Sequence, residues 1–102
     1  MLPDHSAFVD LHSHTNESDG SFSPRELVEL AVEAGLAALA ITDHDTFSGY
    51  DLAAPLAREA GLDLVRGIEL NSKLRLNGGG HRYVHTLAYF PSCEPGADFL
   101  TG

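Results

Sequence analysis

Short apolar runs alternate with amphipathic segments along the first two thirds of the chain, an order typical of parallel strands linked by helices. Residues 7–11 form a short apolar run with one acidic residue and predict a first strand. Residues 37–41 are almost continuously apolar, as expected of a parallel strand that is covered on both faces. Residues 64–70 predict a third strand.

The segment after the first strand has a strong signal for a helix start. Ser23 can cap the first turn, Pro24 suits the first helical position, and Glu26 can complete a capping box. Gly35 is predicted to end this helix. The apolar stripe predicted to face the sheet follows the i, i+3, i+4, i+7 rule and consists of Leu27, Leu30, Ala31 and Ala34.

A second helix is predicted over about residues 50–60, ended by Gly61, with Pro55 expected to kink or shorten it. Farther along, residues 74–76 alternate in polarity, residues 77–80 have turn composition, and residues 83–90 predict another strand, so this part reads as a hairpin. The order is βαβαβ followed by a hairpin. It predicts an α/β fold with parallel strands and right-handed crossovers, in one domain spanning residues 1–102.

Composition narrows the classes of protein to which the chain could belong. It has 102 residues, of which 43% are hydrophobic, and no apolar run approaches the roughly 20 residues that a membrane-spanning helix needs. The N-terminus lacks the basic and apolar regions of a secretory signal. The one cysteine, Cys93, excludes an intrachain disulfide, which favours a reducing compartment. We therefore predict a cytoplasmic protein without membrane contact.

The formal net charge is −9, and such a surface repels a long polyanion. Stable binding of duplex nucleic acid is therefore not expected. Carboxylates that surround metal ions are neutralised by them, so the formal charge overstates the field near a metal site.

Residues of metal-binding type occur near each predicted strand, and in parallel α/β folds the C-terminal ends of strands meet at the edge where sites collect. His12 and His14 follow the first strand and, two residues apart on an extended chain, can point at the same ion. The further candidates are Asp19 in the following loop, Asp43, His44 and Asp45 after the second strand, Glu69 in the third and His85 in the hairpin.

Neutral imidazoles and carboxylates suit Zn²⁺, Mn²⁺ and Fe²⁺ alike, and this number of donors predicts two or more ions with Glu69 as a bridge. Such ions polarise a phosphoryl oxygen and lower the pKa of bound water. Each group alone is weak, because polar residues after a strand usually form caps or turns. Their joint position at the strand ends predicts the metal site. His5 and His81, in terminal and turn segments, are predicted to be surface residues.

The same segments resemble, in order and spacing, the first motifs of the PHP (polymerase and histidinol phosphatase) family. They read DLHSHT at residues 10–15 with SDG at 18–20, ITDHDT at 41–46 with Gly49, GIE at 67–69, and YVHTLAYF at 83–90. The resemblance implies that the chain is part of a distorted β/α barrel whose two or three metal ions hydrolyse phosphoesters.

The resemblance also implies roles for single residues. His12 and His14 would hold one ion, Asp19 and His44 another, Glu69 would bridge them, His85 would be a further ligand, and Asp10, Asp43 and Asp45 would orient the ligands. No side chain is predicted as a catalytic residue, since the attack is assigned to a water molecule that the ions activate. With an aspartate at position 19 and Asp-His-Asp at residues 43–45, the chain resembles the family branch that acts on nucleotides and short RNA ends more than the histidinol phosphate branch.

The chain departs from the family pattern at a few places. Ala88 stands where a glycine is usual, and Asn71 where a small hydroxyl residue is common. Family members also carry a later histidine motif and a terminal Asp-x-His, which residues 91–102 do not supply. A barrel typically needs about 200 residues or more. We therefore expect the N-terminal part of such a domain, with a sheet edge that pairs with a second copy or with a missing C-terminal segment.

Three functions follow from the sequence. The leading one is a metal-dependent phosphoesterase acting on a small phosphorylated substrate or nucleotide. The alternatives are an amidohydrolase, which also places His-x-His after the first strand of a metal barrel, and a non-catalytic metal-binding or interaction module. The identity of the metal and of the substrate stays open.

Overall fold

The computed structural model describes residues 8–91, 95–96 and 99–100, so His5 and Cys93 lie outside the described residues. Its elements are β1 (Val9–Ser13), α1 (Pro24–Glu33), β2 (Ala38–Ile41), α2 (Ser48–Ala60), β3 (Asp63–Arg75) and β4 (His81–Phe90). The predicted order of elements is confirmed. None of the helices that the structure describes combines the length and the apolar character needed to cross a bilayer.

The four strands form one sheet in the order β1-β2-β3-β4. β1 pairs with β2 and β2 with β3 in parallel, whereas β3 and β4 are antiparallel. The sheet curls into part of a barrel, which confirms the predicted α/β class. The C-terminal ends of the three parallel strands consequently meet at one edge.

The core forms where the central strand β2 meets the two helices. Leu39 and Ile41 pack against helix residues that include Val28 and Ala53. Ala40 points to the opposite face of the sheet and is also fully buried. β2 is therefore covered on both faces, as its continuous apolar sequence predicts.

Helix α1 begins as predicted but buries a different face. Ser23 caps it, and Ser23 and Glu26 form the predicted capping box. The buried positions are Pro24, Val28 and Ala31, with Leu27 partly buried. The prediction was wrong for Leu30, which is 41% exposed, and for Ala34, because the spacing allows two neighbouring stripes and packing against α2 selects the more N-terminal one.

Helix α2 starts at Ser48, earlier than expected, and ends at Gly61, whose φ of 76° is the left-handed conformation favoured by glycine. It continues through Pro55 for 13 residues, so Pro55 does not shorten it, and the alternative expectation of a kink stays a prediction. A proline removes one helical hydrogen bond. Here the buried Ala53 and Ala57 on either side keep the helix packed against the sheet.

The third strand is longer than its apolar run. β3 continues to Arg75, five residues beyond the predicted end, because it pairs with β4 in an unbroken register from Arg66 opposite Phe90 to Arg75 opposite His81. The turn uses Gly78, Gly79 and Gly80, all with positive φ. The third strand and the hairpin therefore form one continuous ribbon.

A single tyrosine joins the two ends of the curled sheet. The Tyr89 hydroxyl on β4 donates a hydrogen bond of 2.6 Å to the Leu11 carbonyl on β1, although two strands lie between them. The ring reaches across because its register partner is Gly67, where an added Cβ would lie 3.3 Å from Tyr89 Cδ1. Burial, together with the charges of Asp10 and Glu69, raises the pKa of the Tyr89 hydroxyl above its ordinary value.

We expect Tyr89→Phe to lower the free energy of unfolding by about 0.5–1 kcal/mol, the net worth of one hydrogen bond. A raised pKa in the folded state means that the contribution of Tyr89 is present below pH ~10 and is lost as the pH rises further. Urea unfolding between pH 7 and 11 should therefore show the two proteins converging at alkaline pH. Tyr83→Phe, at a 67% exposed position, is the control and should follow the wild type.

Candidate metal centre

Two histidines at the end of β1 converge on one carboxylate oxygen of β3. His12 Nε2 and His14 Nε2 each lie 2.8 Å from Glu69 Oε1. Glu69 is 6% exposed, whereas the His12 side chain is half-exposed. The parallel pairing of β1, β2 and β3 brings these side chains together although 55 or more positions separate them in the chain.

The loop after β1 adds a second carboxylate between two imidazoles. Asp19 Oδ1 lies 2.7 Å from His14 Nδ1, and Asp19 Oδ2 lies 3.1 Å from His44 Nε2. The rings of His14 and His44 are in edge contact, with centroids 4.5 Å apart. Asp19 therefore connects the end of β1 with the end of β2.

The segment after β2 stays attached to β3 by backbone hydrogen bonds. The Glu69 amide donates to the Asp43 carbonyl at 3.0 Å, and the Asp45 amide donates to the Glu69 carbonyl at 3.1 Å. His44 is thereby held opposite Glu69 in a parallel bridge. On the far side, His85 Nδ1 on β4 lies 3.1 Å from Glu69 Oε2.

The structure thus brings together all six predicted ligands. They form three groups whose potential ligand atoms lie within 4.8 Å of one another. The groups are His12, His14 and Glu69; His14, Asp19 and His44; and His44, Glu69 and His85. Because the groups share residues, they form one continuous cluster of imidazoles and carboxylates, and the assignment of individual ligands stays a prediction.

Electrostatics keep the central carboxylate of this cluster ionised. Burial raises the pKa of Glu69, but hydrogen bonds with His12 and His14 and the electrostatic effect of His44 and His12 together outweigh it and leave the pKa below its ordinary value. Glu69 therefore carries a negative charge at neutral pH and can act as an acceptor or a ligand.

The donor set fits divalent cations. His44 Nδ1 is buried and is the one buried side-chain polar atom without a hydrogen-bond partner in the part of the chain that the structure describes. The opposite nitrogen of that ring, Nε2, faces Asp19 Oδ2 at 3.1 Å and is the His44 atom that would bind a metal in the cluster. Imidazole and carboxylate donors suit Zn²⁺, Mn²⁺ and Fe²⁺, so the geometry agrees with a metal site without naming the metal.

A buried carboxylate, that of Asp43, holds the loop after β1, which contributes Asp19 to the cluster. Asp43 is 1% exposed, and its Oδ1 accepts hydrogen bonds from the Thr15 amide at 2.6 Å and the Ser18 hydroxyl at 2.7 Å. Its Oδ2 accepts one from the Thr15 hydroxyl at 2.7 Å. A Cβ at Gly49 would overlap Asp43 Oδ2, so only glycine leaves room for this network.

Sequence reasoning missed Thr15 and Ser18, although both lie within motifs that it singled out.

The two other predicted orienting residues, Asp10 and Asp45, form hydrogen bonds close to the six predicted ligands. Asp10 Oδ1 accepts a hydrogen bond of 3.1 Å from the His12 amide. Asp45 accepts long hydrogen bonds of 3.5 and 3.4 Å from the amide and side chain of Asn71. Asp45 has a φ of 53°, a left-handed conformation that Asp adopts more readily than most residues.

Comparisons with known proteins identify a matching domain family. The sequence profile of the PHP domain matches residues 10–102. The chain is 46% identical over 63 residues to a 5'-3' exoribonuclease from Haemophilus influenzae, an overlap of 62% of this chain and 23% of that protein.

Two solved structures are similar as well, each with a TM-score of 0.69. A putative metal-dependent phosphoesterase from Bifidobacterium adolescentis shares 40% identity and overlaps 82% of this chain and 28% of that one. An amidohydrolase from Chromobacterium violaceum, solved with sulfate and no metal, shares 34% identity and overlaps 81% of this chain and 28% of that one. The chain therefore spans about a quarter of the length of these relatives.

We expect Asp43→Asn to destabilise the protein by about 1–3 kcal/mol, because an amide nitrogen would face donors where a carboxylate oxygen now accepts. Urea unfolding measures the change. Asp45→Asn makes the same chemical change at an exposed position and should stay within about 0.5 kcal/mol of the wild type. Equal effects of the two substitutions would contradict the role given to Asp43.

We expect His14→Ala and Glu69→Ala each to weaken metal uptake by about tenfold or more, since even residues that only support ligands cost 10–100-fold when removed. His81→Ala removes an imidazole from the exposed hairpin and should leave uptake unchanged. Titration with Mn²⁺ or Zn²⁺ followed by calorimetry measures all three. Equal metal affinities of the three variants would contradict the assignment of the site.

Proposed function

The chain belongs to the PHP domain family, and on this premise we propose that it carries the metal-binding part of a phosphoesterase. The observation that supports the proposal best is the convergence of four histidines and two carboxylates from five segments, namely β1, the loop after it, the segment after β2, β3 and β4. A solvated polar surface would not require that convergence, because exposed side chains gain little from being held together.

We propose that the cluster holds two or three divalent ions, Mn, Fe or Zn, with Glu69 as the shared ligand. When bound, such ions supply Lewis acidity at a phosphoryl oxygen and a lower pKa for water. The residues of the chain provide the frame for that chemistry. Glu69 holds the Nε2 atoms of His12 and His14 at one point, and Asp19 fixes His14 and His44 relative to each other.

Asp43 performs a structural task in this proposal. By accepting three hydrogen bonds from Thr15 and Ser18, it fixes the loop that carries Asp19 before any ligand arrives. Preorganised ligands avoid the entropic cost of ordering a loop when an ion binds. This ordering of the loop explains why the charged Asp43 side chain is buried at this position.

For the substrate, we propose a phosphate ester of a nucleotide or of a short RNA end. Two features support this choice. The relative from Haemophilus influenzae is named a 5'-3' exoribonuclease. In addition, position 19 is an aspartate, as in the family branch acting on nucleotides and short RNA ends that the sequence resembles. The chemistry of the cluster itself favours an anionic phosphoryl group over a neutral substrate, since bound cations attract negative oxygen atoms.

A second candidate function is hydrolysis of a C–N bond. It is favoured by one observation, the name amidohydrolase given to the similar structure from Chromobacterium violaceum. The third possibility is a metal-binding module without catalysis. This possibility and the expected pairing of a sheet edge with a second copy or a further segment stay predictions.

The proposal is tested by elemental analysis of the purified chain together with hydrolysis assays. We expect Mn, Fe or Zn to be bound and a generic phosphodiester or a nucleoside bisphosphate to be hydrolysed, with hydrolysis lost on chelation and restored by the metal. Turnover of cyclic amides alone would favour the amidohydrolase. Bound metal without turnover of either substrate class would overturn the catalytic proposal and leave a metal-binding module. Glu69→Ala is the matched inactive control.

A further inference from the structure

The positive charge of this acidic protein is concentrated on the part of the hairpin formed by residues 71–84, here called the arm. Lys73, Arg75 and Arg82 are three of the six cationic side chains. No acidic residue occurs between Glu69 and Glu94. The rest of the chain has three cationic against fifteen acidic residues, a formal charge of −12. The net value of −9 therefore conceals a separation of charge.

The arm has two different faces, and one of them is continuous with the metal cluster. Because the β3–β4 register is unbroken, residues two apart on β3 and their partners on β4 share a face. The face that carries Glu69 continues through Asn71 and its partner His85 to Lys73 with its partner Tyr83, and ends at Arg75. We call this row the site face. Leu74 and its partner Arg82 lie on the opposite face.

Contacts and exposure agree with this arrangement. The Asn71 side chain bonds Asp45 beside the cluster, which places the base of the site face at the metal centre. Farther out, Lys73 Nζ lies 6.0 Å from the centroid of the Tyr83 ring, and that ring is 67% exposed. From Glu69 to Arg75 the strand spans about 20 Å, at about 3.4 Å per residue.

The distance decides which charges a ligand on the arm experiences. At physiological ionic strength the Debye length is about 8 Å. Along most of its 20 Å the site face is therefore screened from carboxylates elsewhere in the chain. A polyanion that the whole protein repels at long range is attracted locally by Lys73 and Arg75.

We propose that the site face of the arm binds single-stranded nucleic acid, holding the nucleotides that follow the phosphate placed at the metal centre. This inference rests on the proposed function, whose substrate class it narrows from nucleotides or short RNA ends to single-stranded oligonucleotides. Lys73 and Arg75 neutralise two backbone phosphates, and the exposed Tyr83 ring offers a surface on which a base stacks. At about 3.4 Å per stacked nucleotide, 20 Å accommodates up to roughly six nucleotides.

The form of the arm selects a single strand over a duplex. The site face is a ribbon two strands wide with one row of cations, which can follow one phosphate backbone. An exposed aromatic ring contributes to binding only where bases are unpaired and can stack on it. The absence of stable duplex binding expected from the net charge is compatible with this arrangement.

The test is a titration of the purified holoprotein with a fluorescein-labelled, ten-nucleotide single-stranded DNA whose phosphorothioate linkages suppress hydrolysis. Fluorescence anisotropy gives the affinity at several salt concentrations. The test variant is Lys73→Ala combined with Arg75→Ala, and Tyr83→Ala is examined separately. Arg82→Ala is the matched control, since it removes a cation from the opposite face of the same arm. All variants alter exposed residues, and thermal unfolding verifies that they fold.

We expect the double variant to bind at least tenfold more weakly and to lower the slope of log K against log salt by about 1.4, or about 0.7 for each lost phosphate contact. Tyr83→Ala should weaken binding several-fold with an unchanged slope, and Arg82→Ala should change neither affinity nor slope by a comparable amount. A double variant that binds like the wild type, or an Arg82→Ala variant that loses as much as the double variant, would overturn the proposal.

Two parallel measurements separate the other outcomes. Vesicles with anionic lipid test a membrane as the occupant, and binding to them with no binding to the oligonucleotide would also overturn the proposal. Hydrolysis of a generic phosphodiester by the unaltered chain reports on the proposed function alone. If hydrolysis fails while the arm variants lose oligonucleotide binding, the arm is supported and the catalytic proposal is not.

Discussion

The buried carboxylate of Asp43 is the constraint on which the site depends. It lies directly after the central strand and would be costly to bury without partners. Thr15 and Ser18 supply those partners, which ties the loop after β1 to the end of β2. Gly49, at the start of α2, leaves the space that this contact needs. One carboxylate thus couples a strand end, a loop and a helix start.

The position of Asp19 follows from that coupling. With the loop after β1 fixed, the Asp19 carboxylate lies between His14 and His44, and the parallel sheet places Glu69 on the other side of His14. The cluster therefore combines ligands from a fixed loop and from strand ends. Two carboxylates and four imidazoles in this space are stabilised by hydrogen bonds with one another, and a bound cation would stabilise them further by neutralising the charge of the two carboxylates.

β3 joins two different environments within one strand. Its first part is covered by α2 and contributes the buried Ile68, and its last part leaves the core and pairs only with β4. Glu69 lies at the transition between the two. A strand that is buried at one end and exposed at the other can hold the Glu69 carboxylate rigidly while its far end presents side chains to solvent. The charges follow this division, because Lys73 and Arg75 lie on the exposed last part of β3.

The sequence by itself determined the local features whose signals lie within a few residues. Short-range patterns predict the capping box at Ser23, the Gly61 cap of α2, the order of the strands and the placement of His12, His14 and His44 at or just after strand ends, because caps, turns and strand alternation depend on neighbouring residues. The predicted strand end at Glu69 was wrong, since Glu69 lies in the middle of β3.

Only the tertiary structure decided the features that depend on distant partners. The face of α1 that is buried depends on α2, because two stripes of the helix have acceptable spacing. The full length of β3 depends on its pairing with β4, and the partners of Asp43 and the hydrogen bond from Tyr89 to Leu11 join residues 25 to 78 positions apart. Such contacts arise from the curl and register of the sheet, which no short stretch of sequence encodes.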